Sequence, residues 1–158
     1  MASRPRSEGS GGDLPAARPV TSAPMPPAPR AVHFILYVRD QRASAAFYRA
    51  ILDIEPRLDV PGMTEIEVGR GVVLGLMPEA GIRRLLGDAL PDPAAGHGAS
   101  RAELYLVVDD PAAYHARAIA AGATEMSPLA ERDWGHRVAY SLDPDGHVLA
   151  FAEDMARA

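Results

Sequence analysis

Six side chains able to act on a small molecule sit at even spacings in strand-like runs. They are His33 and Tyr37 in VHFILYV, Glu65 and Glu67 in MTEIEVG, and Glu103 and Tyr105 in AELYLVV. Alternation along a strand sends residues i and i+2 to one face, so His33 goes with Ile35 and Tyr37, and Glu103 with Tyr105 and Val107. Glu65 and Glu67 share a face with Met63 in the same way. Imidazole, phenols and carboxylates lining one hollow would make an acidic, partly aromatic pocket. Buried carboxylates disfavour anions and favour cationic or hydrogen-bond-donating ligands. The rings offer flat ligands a stacking surface and cations a π face. Trp134 is placed near the mouth, and Arg137 is read as pointing inward, where it would bind a carboxylate or pair with Glu103.

Residues 134–151, WGHRVAYSLDPDGHVLAF, are the clearest of the elements that must hold these groups. Asp-Pro-Asp-Gly joins two strand-like runs, with Pro144 presetting φ and Gly146 accepting φ > 0. Val138, Tyr140 and Leu142 alternate, as do Leu149 and Phe151, so these are read as the buried face. Arg137, Ala139, Ser141, Val148, Ala150 and Ala152 are read as a cavity-facing set. The order βαβββ occurs twice. Asp40 caps a helix over 41–52 with a stripe of Phe47, Tyr48, Ile51 and Leu52. Strands are expected at about 55–60, 63–69 and 71–77. In the second unit Asp110 caps a helix with Pro111 in its first turn and Gly122 past its end. Strands then follow at about 124–129, 135–142 and 147–153. The expected organisation is a tail over 1–30 and a domain over 31–155, divided into module one (31–78), a linker (79–100) and module two (101–155). In the linker, Ile82, Leu85, Leu86 and Leu90 would form a lid, a subunit contact or a cover over an open edge.

Composition narrows the classes. The chain has 158 residues, a net charge of -5 and a pI near 5.5, which argues against a general nucleic-acid binder. With no cysteine, any metal must be held by His, Asp, Glu or water. No apolar run approaches the ~20 residues needed to span a bilayer, and a cytoplasmic location is expected. The first thirty residues are rich in Pro, Gly, Ser, Ala and Arg and have almost no large apolar side chains, so disorder is expected there. Translation starting at Met25 would leave only a short tail.

The duplicated order, with VHFILYVRD and SAAFYRAILDI, AELYLVVDD and the closing WGHRVAYSLDPDGHVLAF, resembles the vicinal oxygen chelate superfamily (glyoxalase, bleomycin resistance protein and dioxygenase) over about residues 31–153. The resemblance implies an α+β fold of two tandem βαβββ modules, each a half-open curled sheet around a cavity. It also implies a homodimer. Superfamily enzymes take metal ligands from the first and last strands of each module, which here correspond to His33, Gly75, Glu103 and Ala150. Gly75 and Ala150 cannot ligate, so His33 and Glu103 remain, to be completed by Glu65 or Glu67. Such a His-plus-two-carboxylate set would suit one divalent metal (Mn, Fe, Zn or Ni). A centre of this kind would support a metal-dependent lyase, isomerase or dioxygenase acting on vicinal oxygens. The other reading is a small-molecule-binding protein without the metal, as in bleomycin-binding relatives. Whether the chain is an enzyme is left open.

The other histidines carry less. His136 and His147 flank the hairpin turn and are read as surface residues, His115 as a solvated helix residue, and His97 as part of a glycine-rich loop. Asp143 and Asp145 are assigned to the turn and Arg83-Arg84 to a solvated face.

Overall fold

In the computed structural model, residues 29–89, 91–96, 99 and 102–157 are described. Most of the expected tail, Leu90 and His97 lie outside them. The elements run β1 (Val32–Val38), α1 (Gln41–Leu52), β2 (Leu58–Val60), β3 (Met63–Gly69), β4 (Val72–Pro78) and α2 (Glu79–Leu86). They continue with β5 (Glu103–Val107), α3 (Pro111–Ala120), β6 (Thr124–Glu131), β7 (His136–Leu142) and β8 (Val148–Asp154). The four-stranded sheets have matching orders, β1-β4-β3-β2 and β5-β8-β7-β6. In each the first strand runs parallel to the last and the other pairs are antiparallel. This is the α+β architecture of two tandem βαβββ modules.

Local chemistry sets the helix ends. The Asp40 and Asp110 side chains accept the N–H groups of Ala43 and Ala113, supplying partners that the first helical turn lacks. Past α3, Gly122 takes φ 105°, and the Ala123 N–H returns to the Ala118 carbonyl. In the linker, α2 spans eight residues, burying Ile82 and leaving Leu85 71% exposed.

One core serves both modules. Phe47, Tyr48, Ile51 and Leu52 of α1 pack with Leu36, Val38, Ile66, Leu74 and Leu76, and the same cluster takes in Ala118, Leu149 and Phe151 of module two. The helices α1 and α3 touch one another. The helix-side faces of the two sheets therefore meet in a common interior, and the opposite face of module two carries a small separate cluster of Val138, Ala150 and Ala152 under Tyr105 and Tyr140. Register corrects the hairpin faces. Tyr140 lies opposite Ala150 and Val138 opposite Ala152, whereas Ala139 pairs with Phe151 and Ser141 with Leu149. Large residues oppose small ones here, and bulky residues do not line one face together. Arg137 therefore shares the face of Ala139 and Phe151, opposite Glu153.

The β7–β8 turn is tied to module one by a polar junction. Asp143 Oδ1 accepts the N–H groups of Asp145 and His147 at 2.9 and 2.8 Å. Its Oδ2 accepts from the Tyr48 hydroxyl and contacts His147 Nδ1, both at 2.8 Å. Asp145 accepts from Arg39 Nε at 2.9 Å and from Ser44 Oγ at 2.8 Å, and Arg39 also donates to the Pro144 carbonyl. Tyr48 is fully buried. Burial pushes its phenol well above the ordinary value, and the Asp143 charge adds to this.

Candidate functional site

On the outer face of module one, edge strand β1 presents His33 beside Glu65 of β3, with Nδ1 to Oε1 at 3.4 Å. Arg57, from the irregular stretch before β2, donates to Glu65 Oε2 through Nε at 2.9 Å and Nη2 at 2.7 Å. The same Nη2 lies 3.5 Å from His33 Nε2. This two-point grip balances the Glu65 charge, so His33 meets an engaged carboxylate. Glu67 is exposed and accepts the Gly71 N–H at 3.3 Å. Tyr37 is half-buried, opposite Met77.

Between them Gly75 is buried, opposite Ile35 and Glu65. A Cβ built there would overlap the Ile35 Cδ1 methyl and approach Met63 Sδ at 3.4 Å. Hydrocarbon occupies the space into which a ligand at this position would project.

On the outer face of module two, Tyr105 of β5 and His136 of β7 meet at 2.8 Å from hydroxyl to Nδ1. The Trp134 indole N–H donates to the same hydroxyl at 3.3 Å. Gly135, at φ 92°, turns the chain into β7 and leaves Trp134 55% exposed. Tyr140 lies on this face through its pairing with Ala150, which itself pairs with Tyr105. Burial pushes the Tyr140 phenol up; Glu103 and Tyr105 push the same way and Arg132 opposes them. The Arg132 guanidinium stands 5.4 Å from the Tyr140 ring centroid and donates to Ser127 Oγ at 2.7 Å. Its Nε is buried without a partner. Glu103 is exposed, opposite Val148.

The predicted residues thus form two groups. His33 and Glu65 are adjacent, Tyr105 and Trp134 are bonded, and Glu103 acts on Tyr140 beside them. His33 pairs with Glu65 and not with Glu103. Arg137 pairs with Glu153 at 2.8 Å on the other face of the sheet, so the inward reading and the pairing with Glu103 are corrected. Among the described residues no three His, Asp or Glu side chains are placed to hold a metal ion. The set of His33, Glu103 and Glu65 or Glu67 is therefore not assembled within one chain. An open groove of about 730 Å³ lies along α1 beside Asp59 and Val60, and none of the predicted residues lines it.

Sequence reading missed Arg57, His136, Tyr140 and Arg132. The even spacing of His136, Tyr140 and the small residues 150 and 152 carried the signal for the ring cluster, once the register is known. Arg57 sits where no periodicity exists. His115 is buried, not solvated, and bonds Glu125 at 3.0 Å while packing on Phe151. His147 is engaged by Asp143.

The model of the Glyoxalase/Bleomycin resistance protein/Dioxygenase superfamily matches residues 30–151. No curated protein matches the chain. Among solved structures, the chain is similar to a glyoxalase/bleomycin resistance protein/dioxygenase from Nocardioides, at 23% identity and a TM-score of 0.67, covering 85% of this chain and 89% of that one. A glyoxalase-related enzyme from Fulvimarina pelagi gives 24% and 0.67 over 78% and 87%. TioX from Micromonospora sp. ML1 gives 19% and 0.59 over 78% and 98%. At these identities the likeness is one of fold.

Proposed function

Because the chain belongs to the Glyoxalase/Bleomycin resistance protein/Dioxygenase superfamily, we propose that it is a small-molecule-binding protein that holds a flat, cationic or hydrogen-bond-donating ligand against the β5–β8 sheet. The observation that carries this is the bonded set of exposed Trp134 with half-buried Tyr105 and His136, on one face with Tyr140 and the exposed Glu103 carboxylate. Rings held by each other's hydrogen bonds give a stacking surface with little ordering cost. Glu103 has no described basic side chain within ion-pairing distance and supplies the charge for a ligand cation. A second copy, related by a two-fold axis, would cover this face with the His33–Glu65 face of module one and close the hollow.

The residues present do not fit a bound divalent metal. Two of the four corresponding positions have no donor atom, Ile35 fills the space beside Gly75, and Arg57 occupies Glu65. The reading as a metal-dependent lyase, isomerase or dioxygenase stands against this and is tested directly. Protein purified from metal-supplemented medium should carry no stoichiometric Mn, Fe, Zn or Ni. Stoichiometric metal that is lost in His33→Ala would overturn the metal-free reading.

Trp134 is the chain's one tryptophan, so its emission reports on this face. Titration with flat aromatic cations and anions of matched ring size should show saturable quenching by the cations. Glu103→Gln should weaken that binding by about tenfold to 150-fold, the scale of a lost charged hydrogen bond. Equal binding of cations and anions, or full cation affinity in Glu103→Gln, would sink the assignment.

A further inference from the structure

The hydrogen bonds through Trp134, Tyr105 and His136 have a direction. An indole N–H only donates, and it takes one lone pair of the Tyr105 hydroxyl. The Tyr105 hydroxyl lies 2.8 Å from His136 Nδ1, and donation of the phenol proton to a neutral ring there leaves the imidazole hydrogen on Nε2. We propose that His136 is a positioning residue that sets the hydrogen-bond polarity of this face. The neutral ring retains the Tyr105 hydroxyl proton, and the protonated ring releases it toward a ligand.

Protonation puts a hydrogen on Nδ1, and that nitrogen becomes a donor to the phenol oxygen. Tyr105 then accepts from both His136 and Trp134, and its own O–H turns to another acceptor. A ligand carbonyl or carboxylate beside the ring face would take it. The groups that meet His136 are Tyr105 from β5, Asp154 opposite it on β8, and Arg132 before the turn, whose backbone N–H donates to the His136 carbonyl. Of these, Tyr105 bonds the ring. The inference rests on the ligand-binding reading of the same face and narrows it. The ligand carries a hydrogen-bond acceptor besides its ring system, and that acceptor gains its donor in acid.

The test begins without a ligand. In 15N-labelled protein, the ring nitrogens of His136 are assigned by comparison with His136→Gln and followed between about pH 5 and 8. At the upper end Nδ1 should be bare and Nε2 protonated. Trp134 emission over that range should change in one step, absent in His136→Gln and at least halved in Tyr105→Phe. A neutral ring protonated on Nδ1 would overturn the proposal, as would an emission step that either variant leaves at full amplitude. Calorimetry with N-methylquinolinium and its 3-carbamoyl derivative, two cations that differ by one acceptor group, then examines the ligand. The affinity of the carbamoyl compound relative to its parent should be about tenfold higher at low pH, an effect that Tyr105→Phe removes. A pH effect on that ratio that survives in Tyr105→Phe would refute the release of the hydroxyl. If neither cation binds while the ring and emission results hold, the ligand reading fails and the hydrogen-bond reversal stands.

Discussion

At Gly75 the missing side chain and its neighbour Ile35 are matched. Alanine there should destabilise the chain by about 1–3 kcal/mol, because a methyl would overlap the Ile35 Cδ1 carbon. Ile35→Val removes that carbon and alone should cost about 0.5–1.5 kcal/mol. The double variant should be more stable than the sum of the two losses predicts, as read by urea unfolding of all four proteins. Additive losses would mean that the two positions do not compete for space. Glycine at 75 was legible in the sequence as a position unable to ligate, but what fills the space depends on the β1–β4 register. Arg57 was illegible for a related reason. A side chain in irregular backbone reaches its partner by geometry that no spacing encodes.

At the scale of the element, the β7–β8 turn was legible from Asp-Pro-Asp-Gly, but its contact with α1 was not, since the partners lie about a hundred positions apart. Tyr48→Phe should cost about 1.5–3 kcal/mol through the lost bond to the Asp143 carboxylate, without changing the fold. The pH response follows from two shifts. Burial pushes the Asp143 carboxyl up, but the hydrogen bond and charge of His147 outweigh this, and it ends below the ordinary range. Burial pushes His147 down, but the hydrogen bond and charge of Asp143 outweigh this, and it ends raised. A lowered carboxylate contributes stability above its unfolded value of about 3.9, lost as pH falls through the folded value. A raised imidazole contributes below about 6.5, lost as pH rises through its folded value. The melting-temperature gap between the natural chain and His147→Gln should therefore be widest between about pH 4 and 6.5 and should narrow on both sides. A gap that widens steadily toward alkaline pH would contradict the Asp143–His147 pairing.

For the whole molecule, the doubled βαβββ order was legible because capping residues, helical stripes and turns recur in step. The relation between the sheets was not, since it depends on a core shared by both helices. That shared core turns the opposite faces outward, and Val107 on the outer face of β5 is 60% exposed. Covering by a second copy predicts a dimer by light scattering, with Val107→Glu shifting it toward monomer. A native chain that stays monomeric at high concentration would remove the closed hollow from the proposed function. The junction beneath Tyr48 bears on the halves themselves. The β3–β4 turn is a short Gly69-Arg70-Gly71 link, whereas the β7–β8 turn carries the acids that α1 receives. The halves are therefore not interchangeable despite their common plan. A protein assembled from two first halves would have a tyrosine with no acid to meet, and one from two second halves the reverse.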